Sequence, residues 1–211
     1  MSAEVQIVDH PMVQHKLTLL RQTETGTKNF REYLREIGWF LGMESLKDLP
    51  LTDKAIETPV APMTGKEIAG KKLALISILR AGDGLLAPLL DIVPTAKIGQ
   101  IGLARNEETL QPYKYSFKMP ERMDQRLAVV IDPMLATGGS AIYAVNALKE
   151  IGVKKIKFIC LVAAPEGVKA LSDAHPDVQI TTAAVDDRLT DIGYITPGLG
   201  DAGDRIFGTN L

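Results

Sequence analysis

One short stretch of the chain places an acid, hydroxyls and glycines in an order suited to binding a sugar phosphate. Asp132 directly follows five apolar residues, 127–131, which predict a strand buried on both faces of a parallel sheet. Thr-Gly-Gly-Ser follows at 137–140, and a helical pattern starts at Ala141. Glycine backbone N–H groups at a helix start bind anions, whereas an acid beside them suits hydroxyls or a metal. We therefore predict a phosphate cradle at 136–140, with Asp132 facing the sugar.

Two arginines follow other predicted strands. Residues 73–79 predict a core strand that runs into Arg80 and a glycine-rich turn ahead of a helix at 85–90. Residues 97–104 predict the next strand, which Arg105 follows. Open α/β sheets bind ligands at the carboxyl ends of their strands, so Arg80 is predicted to contact a pyrophosphate. A surface position is the alternative interpretation for this arginine.

The C-terminal segment, 193–209, mixes glycine with apolar residues. Four glycines between 198 and 208, together with Pro197, predict that it forms no regular element. Its isoleucine, leucine and phenylalanine residues argue against disorder. We predict a binding loop whose backbone lines a flat pocket, while a packed surface loop stays open as the alternative.

The motifs together resemble one family. Asp-Pro-Met-Leu-Ala-Thr-Gly-Gly-Ser at 132–140 is neither a Walker loop nor a GxGxxG turn, and it resembles the ribose-phosphate loop of type I phosphoribosyltransferases. Many members have two adjacent acids where this chain has one acid and a proline, a departure that fits the uracil phosphoribosyltransferases. Tyr-Ile-x-Pro-Gly-Leu-Gly-Asp-Ala-Gly-Asp at 194–204, with the segments at 10–17 and 163–167, resembles the same branch over nearly the whole chain.

This resemblance implies a reaction and a set of residues. The reaction transfers the 5-phosphoribosyl group of 5-phospho-α-D-ribose 1-diphosphate to uracil, giving UMP and diphosphate, with Mg²⁺ carried mainly by that substrate. The residues implied for the phosphoribosyl substrate are Arg80, Arg105, Asp132, Pro133, Met134, Leu135, Ala136, Thr137, Gly138, Gly139, Ser140 and Asp201. Those implied for uracil are Ile195, Gly200, Asp201 and Ala202. Asp201, Arg105 and Asp132 are the expected catalytic residues, and no protein metal cage is expected.

Strand and helix patterns alternate along the chain, which predicts a doubly wound, mostly parallel α/β sheet in a single domain, 1–211. Further strands are predicted at 156–163 and 178–185, with a helix between them. An irregular arm at 1–14, helices up to residue 46 and a polar connection at 50–70 precede the sheet. Tyr113, Tyr115 and Phe117 alternate, which predicts a β-hairpin arm within 105–125 that acts as a lid or as a subunit contact.

Composition narrows the function classes. The 211 residues carry 24 basic and 26 acidic side chains, a net charge of -2, which argues against a nucleic-acid surface. The only cysteine, Cys160, is predicted to be a buried apolar residue, and it leaves no internal disulfide. No apolar run approaches a membrane span, so a cytoplasmic location is expected. His10 and His15 lack partners at metal-ligand spacing.

The remaining expectations concern partners. Basic residues between 16 and 35 are predicted to form a solvated helix face with i,i+4 ion pairs, phosphate contact being the alternative. The resemblance suggests a homodimer or higher homo-oligomer and leaves activation by GTP open. Two other classes stay in view: an RNA-binding pyrimidine regulator, which the mixed charges disfavour, and a catalytically silent ligand sensor.

Overall fold

The computed structural model describes residues 4–70, 73–105 and 112–209, without the side chains of Arg105 and Pro112. The strands are β1 (Val5–Ile7), β2 (Leu51–Glu57), β3 (Pro62–Ile68), β4 (Ala74–Leu79), β5 (Lys97–Arg105), β6 (Pro112–Lys118), β7 (Leu127–Ile131), β8 (Met134–Leu135), β9 (Lys155–Ile159), β10 (Val162–Ala163), β11 (Gln179–Thr182), β12 (Ala184–Val185), β13 (Arg188–Leu189) and β14 (Ile195–Thr196). The helices are α1 (Pro11–Arg21), α2 (Thr27–Ser45), α3 (Asp83–Ile92), α4 (Gly139–Glu150), α5 (Pro165–Ala174) and α6 (Ala202–Phe207). Within the described ranges, no helix is long and apolar enough to cross a membrane.

Seven strands form the central sheet in the order β1-β11-β9-β7-β4-β5-β6. Every neighbouring pair is parallel except β5 and β6, which confirms the predicted mostly parallel α/β architecture. Because parallel strands end at one edge, the backbone at Arg80, Arg105 and Asp132 emerges on the same side of the sheet. That edge is where ligands bind in open α/β folds.

The apolar run of β7 is explained by helices on both faces of the sheet. Val129 and Ile131 pack into the core that α1, α2 and α3 cover. Ala128 and Val130 point the other way, into the core beneath α4 and α5. A strand buried on both faces has no polar side to alternate with, and β7 is therefore continuously apolar.

Three strands continue past the main sheet into a smaller one, where β12, β10 and β8 pair in parallel. The predicted single strands at 156–163 and 178–185 are therefore wrong in detail, since each is split in two. At the break, the Asp132 N–H donates to the Ile159 carbonyl at 3.1 Å and the Leu161 N–H to the Pro133 carbonyl at 2.9 Å. Pro133 has no N–H to donate to a ladder, and Asp132 lies at this change of sheet, between β7 and β8.

Two predictions for the N-terminal part are also wrong. Residues 1–14 are not simply irregular, because β1 pairs with β11 and α1 begins at Pro11, where the His10 ring accepts the Met12 N–H at 3.1 Å. The expected connection at 50–70 contains the antiparallel hairpin β2–β3. This hairpin lacks a periodic apolar face, and cross-strand ion pairs such as Lys54 with Glu67, at 2.6 Å, link its strands.

The strand predicted from alternating aromatics is confirmed as β6, although it forms the sheet edge against β5 and not a separate arm. The connection at 106–111 lies outside the described residues. The prediction of no regular element in the C-terminal segment is wrong for α6. Asp201 caps this helix by accepting the Asp204 N–H at 2.9 Å, and Gly208 ends it with a φ of 72°.

Candidate active site

The predicted phosphate cradle, residues 136–140, follows directly from β8. Gly138 has a φ of 83° and precedes the first residue of α4, so the chain reverses there and presents the start of a long helix. Thr137 and Ser140 are exposed. Asp132 and residues 134–141 line a concave space of about 120 Å³. Since the first N–H groups of a helix have no acceptor within it, this space suits a phosphate.

Helix α5 supports the cradle from behind through a close backbone approach. A Cβ on Gly167 would lie 2.3 Å from the Ala136 carbonyl oxygen and 2.5 Å from that of Leu135. A Cβ on Gly138 would lie 3.2 Å from the Ala170 Cβ. Sequence reasoning used 163–167 only as part of the resemblance and missed Gly167 as a packing residue, although a glycine in the first turn of a helix was a visible signal.

Asp132 has an unusual electrostatic environment. Burial raises the pKa of this carboxyl from 3.8 to about 7, and the negative charge of Asp201 raises it further, while a hydrogen bond from the Met134 N–H opposes both. A carboxyl with this pKa changes its protonation near neutral pH. Ribose hydroxyls or a cation would favour its ionised form because each interacts with the charge.

A second concave space, of about 360 Å³, joins Asp132 to the C-terminal segment. We call residues 193–203 the base loop. The four residues expected at uracil line this space together with Asp132: Ile195, Gly200, Asp201 and Ala202. Met134 of β8 and Ala136 of the predicted cradle also line it. Five lining residues were missed by sequence reasoning: Ala81, Ile192, Gly193, Tyr194 and Gly203. The available signals were their positions: Ala81 adjoins Arg80, Tyr194 and Gly203 belong to the motif at 194–204, and Ile192 and Gly193 directly precede that motif.

The two arginines expected at the diphosphate are Arg80 and Arg105, and the structure describes the side chain of Arg80 only. Arg80 comes directly after β4 and is exposed, and its guanidinium lies 5.2 Å from the centroid of the Phe207 ring. It does not line the space that contains Asp132, whereas its neighbour Ala81 does. Arg105 ends β5 at the same sheet edge, but its side chain lies outside the described part of the structure, so its contact stays a prediction.

The base loop is held from the other end of the chain. Arg205 donates to the carbonyl oxygens of Leu199, at 2.8 Å, and Gln22, at 2.7 Å, and its guanidinium lies over the Phe30 ring. The predicted i,i+4 pairing of the basic N-terminal residues holds for Lys28 with Glu32. Three other basic residues of this region form ion pairs between different elements, because charged side chains of α1 and α2 face neighbouring elements. The pairs are Lys16 with Glu36, Arg21 with Asp186 and Arg35 with Asp91.

Other candidate groups are structural. Burial raises the pKa of the Cys160 thiol to about 12, in agreement with its prediction as a buried apolar residue. Asp83, near the glycine turn after β4, accepts a hydrogen bond from the Ser77 hydroxyl at 2.7 Å. Among the residues that the structure describes, no three His, Cys, Asp or Glu side chains are grouped to hold a metal.

The parallel sheet, the acid at a strand end and the glycine turn before α4 define a type I phosphoribosyltransferase. The fold agrees with that class: the adenine phosphoribosyl transferase from Trypanosoma brucei, crystallised with AMP, pyrophosphate and ribose-5-phosphate, superposes with a TM-score of 0.59 at 14% identity, covering 92% of this chain and 85% of its own. That likeness concerns the fold alone.

The particular family follows from closer relatives. Residues 7–209 match the uracil phosphoribosyltransferase family model. The uracil phosphoribosyltransferases of Streptococcus pneumoniae serotype 4 and Levilactobacillus brevis are 60% and 59% identical, covering 98% and 97% of this chain and 99% and 98% of their own. The AQ2163 protein from Aquifex aeolicus superposes with a TM-score of 0.91 at 37% identity, covering 97% of this chain and 98% of its own. The chain belongs to the uracil phosphoribosyltransferase family.

Proposed function

We propose that this chain, as one domain over 1–211, transfers the 5-phosphoribosyl group of 5-phospho-α-D-ribose 1-diphosphate to uracil, giving UMP and diphosphate. One observation supports the assignment most directly. Asp132 lines both the concave space of the phosphate cradle and the space bounded by the base loop. A ribose beside Asp132 would therefore have its phosphate on one side and the incoming base on the other.

The phosphate cradle holds the 5′-phosphate in this proposal. Gly138 and Gly139 give the phosphate access to backbone N–H groups at the start of α4, and the exposed hydroxyls of Thr137 and Ser140 add donors. Met134 to Ala136, which line the cradle space, would form the floor beneath the sugar, and Pro133 connects them to Asp132. Asp132 accepts hydrogen bonds from the ribose hydroxyls, and those donors favour its charged form over the neutral one.

The departing diphosphate lies toward Arg80 and Arg105. Arg80 follows β4 and Arg105 is the last residue of β5, and both strands end at the same edge as Asp132. A guanidinium suits this role because its planar fork meets phosphate oxygens in pairs. Arg80 would exchange its stacking on Phe207 for the substrate. Charge-assisted bonds of this kind strengthen as negative charge develops on the leaving group.

Mg²⁺ is proposed to arrive as part of the phosphoribosyl substrate. The carboxylates lining the space at the ribose are those of Asp132 and Asp201, too few for a protein cage. That donor set fits the habit of Mg²⁺, which uses one or two carboxylates together with substrate phosphates. The ion supplies charge neutralisation for the diphosphate, and Asp132 or Asp201 would hold it only through the substrate's oxygens or a single carboxylate.

Uracil is read by the base loop. Ile195 and Gly200 to Ala202 line the space that contains Asp132, and their backbone N–H and C=O groups are proposed to meet the edge of the base. Asp201 lies beside the position expected for C1′. Because one of its oxygens caps α6, the direction of this carboxylate is fixed, and it can stabilise an oxocarbenium-like transition state or orient the attacking nitrogen.

The test is direct. The full chain is mixed with uracil, the phosphoribosyl substrate and Mg²⁺, and both UMP and diphosphate are quantified. Equal amounts of the two products support the transfer. Substrate binding without any product would identify a silent sensor and overturn the proposal. Repeating the assay with GTP tests whether this nucleotide raises turnover.

We also propose that the protein forms a homodimer or a higher homo-oligomer through the β2–β3 hairpin. The hairpin exposes large apolar side chains, with Leu51 59%, Val60 94% and Met63 50% exposed. A two-stranded hairpin is marginally stable in water without further packing, and clustered apolar residues mark contact surfaces. Light scattering measures the molar mass of the parent and of a Leu51→Ser, Met63→Ser variant. The parent should have the mass of a dimer or a larger assembly, and the variant a lower mass. A parent with the mass of a monomer overturns this proposal.

A further inference from the structure

A partly buried ion pair links the first helix to the far end of the chain. Arg21, the last residue of α1, donates from both terminal nitrogens to the two carboxylate oxygens of Asp186, each at 2.7 Å. The side chains are 22% and 6% exposed. The paired geometry is the one in which arginine differs most from lysine, because only a guanidinium offers two parallel donors.

The same pair holds both backbone polar groups of Gly198. Arg21 donates to the Gly198 carbonyl at 2.7 Å, and the Gly198 N–H donates to Asp186 at 2.8 Å. Gly198 has a φ of 62°, and a Cβ there would lie 2.0 Å from the Ile195 carbonyl oxygen. This glycine therefore makes the tight turn between Ile195 and Gly200, two residues that line the space expected for uracil.

Asp186 is also anchored on the side of the phosphate cradle. Its N–H donates to the Ala163 carbonyl at 2.8 Å. Ala163 belongs to β10, which pairs in parallel with β8, and β8 leads directly into the cradle. Through Asp186 and Arg21, the turn at Gly198 is thus tied to the small sheet from which the cradle emerges.

We infer that Arg21 and Asp186 form a positioning pair that sets the base loop relative to the cradle and so determines uracil affinity and selectivity. Neither residue lines the space beside Asp132 that is expected for uracil, and the inference rests on the proposed function. Stability alone is a weak reason for such a pair, because buried ion pairs are often no more stabilising than apolar residues of similar size. Its geometry fixes the backbone that reads the base, and a shift of that backbone would leave base-edge hydrogen bonds unmade.

The experiment compares Arg21→Lys and Asp186→Asn with the parent. Arg21→Lys keeps the positive charge but loses the two parallel donors of the guanidinium. Asp186→Asn keeps the shape of the side chain but loses its negative charge. A displaced base loop would leave hydrogen bonds to the edge of the base unmade, which corresponds to a rise in KM for uracil of about tenfold to hundredfold. KM for the phosphoribosyl substrate should stay within about twofold of the parent, and the preference for uracil over cytosine should fall in parallel.

Arg35→Lys is the matched control. Arg35 also forms an ion pair, with Asp91 at 2.8 Å, but the side chains of these two residues are 53% and 43% exposed. No change in KM or kcat is expected for this variant. Thermal melts of all variants accompany the kinetics. If either single variant fails to fold, the neutral double variant Arg21→Gln, Asp186→Asn takes its place, because it leaves no unpaired buried charge, and it should still lose uracil affinity.

Two failures are distinguishable. A parent that forms no UMP refutes the proposed function itself. An active parent whose folded variants keep the uracil KM, or lose affinity for both substrates equally, overturns the positioning role alone. Selective loss for uracil, absent from the Arg35→Lys control, supports it.

Discussion

The phosphate cradle and the base loop are built by different means, although they face one another across Asp132. The cradle consists of consecutive residues fixed by backbone hydrogen bonds and by close packing at Gly138 and Gly167. The base loop is fixed by side chains that connect it to distant parts of the chain: Arg21 donates to Gly198, and Arg205 donates both to Leu199 and to Gln22. A change in the cradle should therefore act locally and severely, whereas the base loop should be sensitive to residues that never touch the base.

Gly138→Val is expected to have the largest effect. The positive φ of Gly138 strains any β-branched residue by about 1–3 kcal/mol, and its Cβ would crowd Ala170 and the Gly167 carbonyl at 3.2 Å. The added atoms face α5 and not the cavity, so binding should be lost through distortion of the turn. Calorimetric titration with the phosphoribosyl substrate should detect no binding, while a thermal melt confirms that the variant folds.

Gly139→Ala is the comparison for this prediction. A Cβ there would meet only the Thr137 hydroxyl, at an ordinary 3.7 Å, and Gly139 is not among the glycines with a positive φ. Because Gly139 lines the cradle space, binding should weaken, but less than in Gly138→Val. If Gly138→Val binds like the parent, the phosphate lies elsewhere and the contrast between a rigid cradle and a tethered loop fails.

Discrimination between bases tests the other region. Uracil presents acceptor, donor, acceptor along its edge, and cytosine presents donor, acceptor, acceptor. The residues lining the base space include no Asn or Gln that could turn its amide. Two unpaired buried groups at about 1–3 kcal/mol each correspond to a preference of roughly a thousandfold or more in kcat/KM. A competition assay at equal base concentrations measures it, and comparable UMP and CMP would show that the base loop does not read the edge.

Arg105→Ala tests the diphosphate side. Loss of a charge-assisted bond to a developing anion should cost about 2–4 kcal/mol of transition-state stabilisation, so turnover should fall more than uracil affinity. Steady-state kinetics with both substrates provide the measurement, and Arg35→Ala is the surface control. An unchanged kcat/KM for the phosphoribosyl substrate would make Arg105 a surface residue.

Asp132→Asn should alter stability in a pH-dependent way. The raised pKa of Asp132, about 7 against 3.8, means that the folded state keeps a proton that the unfolded state releases. Folding is therefore progressively disfavoured as pH rises between these values, and the penalty is complete above the folded pKa. The ligand-free variant should be more stable than the parent by on the order of 2–4 kcal/mol at about pH 8.

Urea unfolding across this pH range checks the prediction. The stability difference should shrink toward acid pH and disappear below the unfolded pKa of 3.8. A difference that stays constant with pH would show that Asp132 is not the titrating group. The variant should also lose affinity for the phosphoribosyl substrate, because an amide offers the ribose a weaker acceptor than a carboxylate.

The sequence by itself determined the site elements that are local. The order strand, acid, glycine turn, helix at 127–150 lies within one continuous segment, so residue types alone predicted β7, the cradle and α4. The alternation of strands and helices predicted the mostly parallel sheet in the same way. The residues expected at the base were recognised through resemblance, and they do line the space beside Asp132.

Only the tertiary structure decided which distant residues meet. The split of β9 from β10 was invisible because both sheets bury their strands, and apolar residues continue across the break. In the β2–β3 hairpin, cross-strand ion pairs link the two strands, and in α6 the Asp201 side chain caps the helix. Arg21 and Asp186 lie 165 positions apart. A hydrophobic pattern predicts that a residue is buried, because burial depends on the local periodicity of apolar residues. The sequence around a polar side chain does not indicate which distant partner it will contact in the folded chain.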